Sequence, residues 1–381
     1  MSRYNEFAEG LLGQIRQCMF GLDEVAQLTL VALYTDGHIL LEGNPGTGKT
    51  EFVKAMSKSL NLSHGRIQFT PDLMPSDITG TDMPVFGEGG ISGMKFKKGP
   101  IFEGSLLLAD EINRATPKTQ AAMLEGMAER HVTVLGVTHD LDHPFMVLAT
   151  QNPIDQEGTY NLPEAQADRF MFKVMMPALS RDIIRKIVDK KSDSTDPIPG
   201  GTQQDLGTLP QRTAESRQQY EELKKQIKKV RLPPSVYMHI ENMFLASDGR
   251  LDELEGVSEK QKGRLGFLSK MITYGLGPRA PISQALAAKA WALFFLPNHD
   301  LATANCLAGV TIPTLRHRLK LEQGWENSYR SHVASLPESE DLKLDKFLAD
   351  FSLACAPVDN DYQHSFRLAP QIAAIVQGEK W

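Results

Sequence analysis

The stretch His38-Ile39-Leu40-Leu41-Glu42-Gly43-Asn44-Pro45-Gly46-Thr47-Gly48-Lys49-Thr50 decides the reading of this chain. An apolar run leads into a glycine-rich loop, and a predicted helix follows from Glu51 to Leu60. That is the strand–loop–helix order of a Walker A loop. Successive backbone N–H groups in such a loop point at phosphate oxygens. Glycines remove side chains where the backbone turns or approaches the ligand closely. The new helix adds its unpaired N–H groups and the positive end of its dipole. Gly43, Asn44, Pro45, Gly46, Thr47, Gly48, Lys49 and Thr50 are therefore expected to hold ATP. Lys49 is expected to reach the β- and γ-phosphates, and Thr50 to ligate Mg2+ through its hydroxyl.

A second motif supports the first. Ser105-Leu106-Leu107-Leu108-Ala109-Asp110-Glu111 is an apolar run that ends in two acids. Such a run reads as a central strand of a parallel sheet, and chemistry in such sheets sits beyond the C-terminal strand ends. Asp110 is placed to hold Mg2+, directly or through water, and Glu111 to polarise an attacking water. A third predicted strand, Phe145 to Thr150, runs into Gln151-Asn152-Pro153. An Asn before Pro is by itself a common turn former. Beside the other two motifs, Asn152 is expected to orient water near the γ-phosphate.

The fold class expected is α/β: a P-loop NTPase core with a parallel sheet flanked by helices, followed by a helical lid domain. Three regions are predicted. Residues 1–190 form the core with its N-terminal helices and an insertion at 70–104. Residues 191–232 form a linker and a charged helix, and residues 233–381 a helical lid and C-terminal region. The first helices span 4–34 and break at Gly21. The insertion is rich in Pro and Gly, which limit helices and weaken strands, and it is too long for an ordinary connection. It should be an ordered excursion with a short helix or hairpin. A helix is expected from Pro117 to Glu129, a hairpin over His131–Leu141, a short helix from Pro163 to near Phe170, and a last strand at Phe172–Met176. In the C-terminal region the strongest periodicity lies at Ala280–Phe295, with further helices at 302–309, 312–320 and 365–377.

With 381 residues the chain is long enough for two domains and well-packed cores. Its formal net charge of −6 gives no general pull toward nucleic acid or anionic lipid. The cluster Lys224-Lys225 and Lys228-Lys229 reads as a solvated helix face. The three cysteines, Cys18, Cys306 and Cys355, lie far apart without metal spacing or a disulfide framework. No run approaches a membrane span and no signal segment is seen, so a cytoplasmic enzyme without membrane insertion is expected.

The chain resembles the MoxR family of AAA+ ATPases. The resemblance is carried by Thr70-Pro71-Asp72-Leu73-Met74-Pro75-Ser76-Asp77-Ile78-Thr79-Gly80, Gly99-Pro100-Ile101-Phe102 and Ala109-Asp110-Glu111-Ile112-Asn113-Arg114-Ala115. It continues through Gln156-Glu157-Gly158-Thr159-Tyr160, Leu162 to Phe170, and Gly277-Pro278-Arg279-Ala280. The resemblance implies a hexameric ring with ATP bound between neighbours. It places sensor 1 at Asn152, an arginine finger reaching a neighbour's γ-phosphate at Arg169, and sensor 2 at Arg279. It also implies remodelling of a protein client, with a von Willebrand factor A domain protein as partner. A nucleic-acid motor or loader is a weaker reading, because no strongly basic domain supports it. A scaffold with little turnover is weaker too, because the Asp110-Glu111 pair is intact.

Overall fold

The computed structural model describes residues 2–43, 46–87, 90–152, 159–177, 180–192, 214–297, 299–331, 333 and 340–376. Two compact units divide the chain: Ala8–Gln166 with Val174–Glu221, and Met1–Phe7 with Ala167–Lys173 and Glu222–Trp381. Of the linker predicted from residue 191, residues 193–213 lie outside the described residues, while 191 and 192 end a helix.

In chain order the first unit draws on α1 (Arg3–Cys18), α2 (Asp23–Tyr34), β1 (Ile39–Glu42), α3 (Lys49–Leu60) and β2 (His64–Gln68). The insertion contributes α4 (Pro75–Thr79), β3 (Gly80–Gly87) and β4 (Gly90–Lys98). Then come β5 (Leu106–Asp110), α5 (Pro117–Glu129), β6 (His131–Val134), β7 (Val137–Asp140), β8 (Met146–Gln151), α6 (Glu164–Ala167), β9 (Phe172–Met175), α7 (Arg181–Ser192) and α8 (Ala214–Lys229).

The five-stranded sheet has the order β2-β5-β8-β1-β9, and the β2–β5, β5–β8 and β8–β1 pairings are parallel. Strand β8 thus separates the strand that feeds the glycine-rich loop from the strand that ends in Asp110. Register places Leu41 opposite Thr150 and Ala109 opposite Ala149. β1 is buried throughout, and β5 and β8 at every residue but the last. This is why they read as unbroken apolar runs: a strand covered on both faces has no polar side to present. Edge strand β2 alternates instead, its Gly65 and Ile67 buried and its Arg66 and Gln68 exposed.

The insertion holds both a short helix and a hairpin. Pro75 opens α4, and the Asp77 carboxylate accepts the Met74 N–H at 2.8 Å. The hairpin pairs Gly80 with Lys98 through to Gly87 with Gly90. At its root the backbones nearly touch: a Cβ on Gly99 would lie 2.3 Å from the Ile78 carbonyl oxygen, and one on Gly80 2.3 Å from that of Lys97. The second hairpin, β6–β7, turns through Leu135 and Gly136, both at positive φ, as a two-residue hairpin turn requires. Phe96 of the first hairpin stacks on His139 of the second, with ring centroids 3.9 Å apart and planes 15° apart.

The second unit is helical: α9 (Pro234–Ser247), α10 (Glu259–Leu268), α11 (Arg279–Phe295), α12 (Ala304–Leu315), α13 (Trp325–Arg330), α14 (Glu340–Cys355), α15 (Asn360–Leu368) and α16 (Pro370–Ala373), with the short antiparallel pair β10 (Ile272–Tyr274) and β11 (Lys320–Leu321). Two expectations change here. A single helix, α12, stands where helices at 302–309 and 312–320 were expected. Pro313 lies in its last turns, where the lost N–H costs one bond, and eleven of its twelve residues are buried. The helix expected over 365–377 breaks before Pro370, whose ring disfavours helical geometry in the preceding Ala369; Ala369 has φ −57° and ψ 133°.

Candidate functional site

Lys49 is the first residue of α3, and Gly48 caps the helix in the left-handed region at φ 83°. Gly46 is likewise left-handed, at φ 79°. Alternation of this kind turns successive N–H groups toward one side of the loop. Lys49 Nζ donates to the Gly43 carbonyl at 2.6 Å, so the side chain folds back over the loop. Burial draws the ammonium pKa below the ordinary lysine value, while Asp110, Glu111 and Glu42 act in the opposite sense. A partly desolvated cation facing acids is suited to a polyanion. Gly43, Gly46, Thr47, Gly48, Lys49 and Thr50 occupy this strand-to-helix junction, whereas Asn44 and Pro45 lie outside the described residues.

Asp110 ends β5, and Glu111 follows it at φ 58°. A non-glycine residue in that region is costly unless its surroundings hold it. Thr150 provides the hold from the adjacent strand. Its fully buried hydroxyl accepts the Glu111 N–H at 2.8 Å and donates to Asp110 Oδ1 at 2.7 Å. Asp110 Oδ2 accepts from Arg66 at 2.7 Å. Glu111 Oε2 accepts from Gln68 at 3.1 Å and from Arg114 at 2.9 Å. β2, β5 and β8 therefore converge on the two acids at their C-terminal ends. Asn152 is half-buried and directly follows β8.

The donor chemistry fits Mg2+, which prefers hard oxygen ligands and is commonly shared between one or two protein groups and substrate phosphates. Thr50 offers a hydroxyl and Asp110 a carboxylate. Among the described residues no cluster of three or more His, Cys, Asp or Glu side chains is arranged to hold a metal; a cation shared with phosphates needs no such cage.

Arg169 and Arg279 belong to the helical unit. Arg169 lies in the turn after α6 and is half-buried. Arg279 opens α11, and its Nη1 meets Asp168 Oδ2 at 3.3 Å. The other oxygen of Asp168 accepts from Arg318 Nε at 2.8 Å. Arg318 has only 2% of its side chain exposed. Burial lowers its pKa, and Asp168 counteracts this.

Sequence reading did not single out Thr150, Arg66, Gln68, Asp168 or Arg318. Thr150 carried a signal: a hydroxyl at the end of an otherwise apolar central strand, one strand away from the acidic pair. Arg66 and Gln68 are alternate residues of a strand and read as a solvent face. Arg318 sits in Arg316-His317-Arg318, which looks like an ordinary basic helix end.

Comparison with known proteins gives the class first. Residues 38–172 match the ATPase family associated with various cellular activities (AAA). A crystal structure of a protein assigned as an ATPase, from Cytophaga hutchinsonii ATCC 33406, superimposes with a TM-score of 0.69 at 32% identity, covering 86% of this chain and 92% of that one. The uncharacterized protein YeaC of Bacillus subtilis (strain 168) is 36% identical over 327 residues, 84% of this chain and 89% of its own length. Chaperone MoxR1 of Mycobacterium tuberculosis (strain ATCC 25618 / H37Rv) is 44% identical over 180 residues, 47% of each chain. Protein MoxR of Methylorubrum extorquens is 32% identical over 169 residues. The chain belongs to the MoxR family of AAA+ ATPases. It spans about half the length of the two MoxR relatives it matches, 47% and 48%.

Proposed function

We propose that this chain binds ATP with Mg2+ and hydrolyses it to remodel, mature or activate a client protein or complex. The observation that carries the proposal is the meeting of three elements at one end of the sheet: the Lys49 loop, the Asp110–Glu111 pair, and the end of β8 between them. Lys49 and the loop N–H groups bind the β- and γ-phosphates. Thr50 and Asp110 hold Mg2+, which when bound neutralises charge on the phosphate oxygens. Glu111 orients the attacking water and takes its proton, and Asn152 fixes that water from the neighbouring strand. Thr150 keeps both acids in register. Arg169 is read as the finger that donates hydrogen bonds to the γ-phosphate bound by a neighbouring subunit, with Arg279 as a second cation on the nucleotide. Assembly in a hexameric ring, with ATP bound between neighbours, is the form the resemblance implies.

Under this reading residues 1–190 carry the chemistry, the region from 233 onward acts as lid, and the two hairpins meet the client. A von Willebrand factor A domain protein is the proposed partner. The name of Chaperone MoxR1 supports a chaperone role by similarity. Among the described residues no helix is long and apolar enough to cross a membrane. The test combines nucleotide binding and phosphate release on Lys49→Ala and Glu111→Gln with an ATP-trapped pull-down using Glu111→Gln. Loss of binding in the first and retained binding without turnover in the second are expected. Unchanged affinity and rate in both refute the assignment. Recovery of no protein on the trapped form, above the Lys49→Ala background, refutes the client.

A further inference from the structure

Three consecutive side chains after α12 grip the segment that carries Arg169. Arg318 makes six hydrogen bonds: Nε to Asp168 Oδ1 at 2.8 Å, Nη1 to the carbonyls of Met171 at 2.9 Å and Thr314 at 2.7 Å, and Nη2 to the carbonyls of Asp168 at 3.3 Å and Phe170 at 2.7 Å and to Ser283 Oγ at 3.4 Å. His317 Nε2 donates to the Phe170 carbonyl at 2.9 Å. Arg316 Nη1 donates to the Lys173 carbonyl at 3.1 Å while its Nε and Nη2 hold Asp345 at 2.6 and 2.7 Å. The carbonyls of residues 168, 170, 171 and 173 are thereby fixed, on both sides of Arg169.

Stability alone does not call for this arrangement. A buried ion pair is commonly no better than apolar packing of the same volume. What a buried arginine provides is a rigid fork of five N–H donors, here spread over carbonyls that would otherwise set the course of the turn loosely. We infer that Arg318 is a positioning residue: it sets the backbone from which Arg169 reaches a neighbour's γ-phosphate, so the helical unit determines how well an adjoining subunit hydrolyses ATP. This rests on the reading of Arg169 as a finger acting in trans.

The test uses the full chain and the variants Arg318→Lys, Arg169→Ala, and the two combined. Arg318→Lys keeps the charge and loses the fork. It is expected to bind ATP within about threefold of wild type, because its own glycine-rich loop is untouched, and to lose roughly 10–100-fold in kcat, the scale of a misplacement near 1 Å. Backbone amides in 168–173 should exchange faster. The double variant should be no slower than Arg169→Ala, since Arg318 acts through Arg169. Mixing Arg318→Lys with Lys49→Ala should restore phosphate release, because Lys49→Ala subunits offer an intact finger to the loaded sites of the others. Wild-type kcat in Arg318→Lys, or a double variant slower than Arg169→Ala by the full Arg318→Lys factor, overturns the inference. Wild-type kcat in Arg169→Ala instead overturns the reading beneath it. Should Arg318→Lys fail to fold, Arg318→Met answers the same question, with Asp168 keeping Arg279 as its partner.

Discussion

Replacing Thr150 with Val tests whether one buried hydroxyl holds the acidic pair in place. The change keeps shape and removes two hydrogen bonds, one to the Asp110 carboxylate and one from the Glu111 N–H. A bond to a charged group contributes about 1.5–3 kcal/mol and a neutral one about 1 kcal/mol, so a loss of roughly 2–4 kcal/mol is expected. Thr150 itself is completely buried, so no water takes the place of its hydroxyl once a valine methyl fills the site. For a unit of this size each kcal/mol shifts the melting temperature by about 2–4 °C, giving a drop of roughly 4–16 °C. Glu111 also loses its anchor at φ 58°. Phosphate release should then fall by about tenfold or more while ATP affinity changes by less than about threefold. Thermal unfolding and a steady-state phosphate assay read both effects. Thr150→Ser keeps the oxygen and should stay close to wild type in kcat. Wild-type melting and turnover in Thr150→Val would refute the role of the hydroxyl.

Other expectations follow the same geometry. Lys49→Ala should weaken ATP binding by roughly 10–100-fold, the equivalent of one or two charge-assisted hydrogen bonds; titration with a fluorescent nucleotide reads it. Glu111→Gln should bind ATP normally and turn over about 10²–10⁴-fold more slowly, the usual contribution of a general base. Tyr220→Phe removes the hydroxyl that donates to Asp36 Oδ1 at 2.7 Å and should destabilise the sheet-bearing unit by about 1–2 kcal/mol in urea unfolding. His239 is fully buried, and burial holds its pKa at about 4. The unfolded chain protonates it near the ordinary value of 6.5, so its contribution is complete above that pH and is lost as pH falls toward 4. The slope is at most about 1.4 kcal/mol per pH unit. His38 and His317 are displaced in the same direction by burial, so unfolding measured from pH 7 to 4 should show falling stability; a flat profile contradicts it.

Much of the α/β unit was legible because its signals are local. The run before Gly43 and the run before Asp110 are apolar throughout, and each ends in the residues that define its role. Gly21 and Pro117 punctuate helices where the structure begins or ends them. The order of strands was not legible: nothing local to β8 says that it lies between β1 and β5. Thr150 was passed over for that reason, since its meaning comes from strands on either side. In the helical unit, the break expected between 309 and 312 did not occur because burial of nearly all of α12 outweighs one missing N–H at Pro313. The pairing of Arg318 with Asp168 spans 150 residues of chain, a distance over which spacing and periodicity carry no information.

The near-contact of Gly80 and Gly99 has a consequence for how such a molecule diversifies. No other residue fits at either position without pushing the two strands apart, so the waist is invariant in shape. Beyond it the ribbon behaves as a cassette. Its outer residues, Met83, Val85 and Met94, are solvent-exposed and are replaceable without disturbing the waist. Substitutions at these outer positions are therefore expected to change the surface of the ribbon while the glycine waist keeps its geometry.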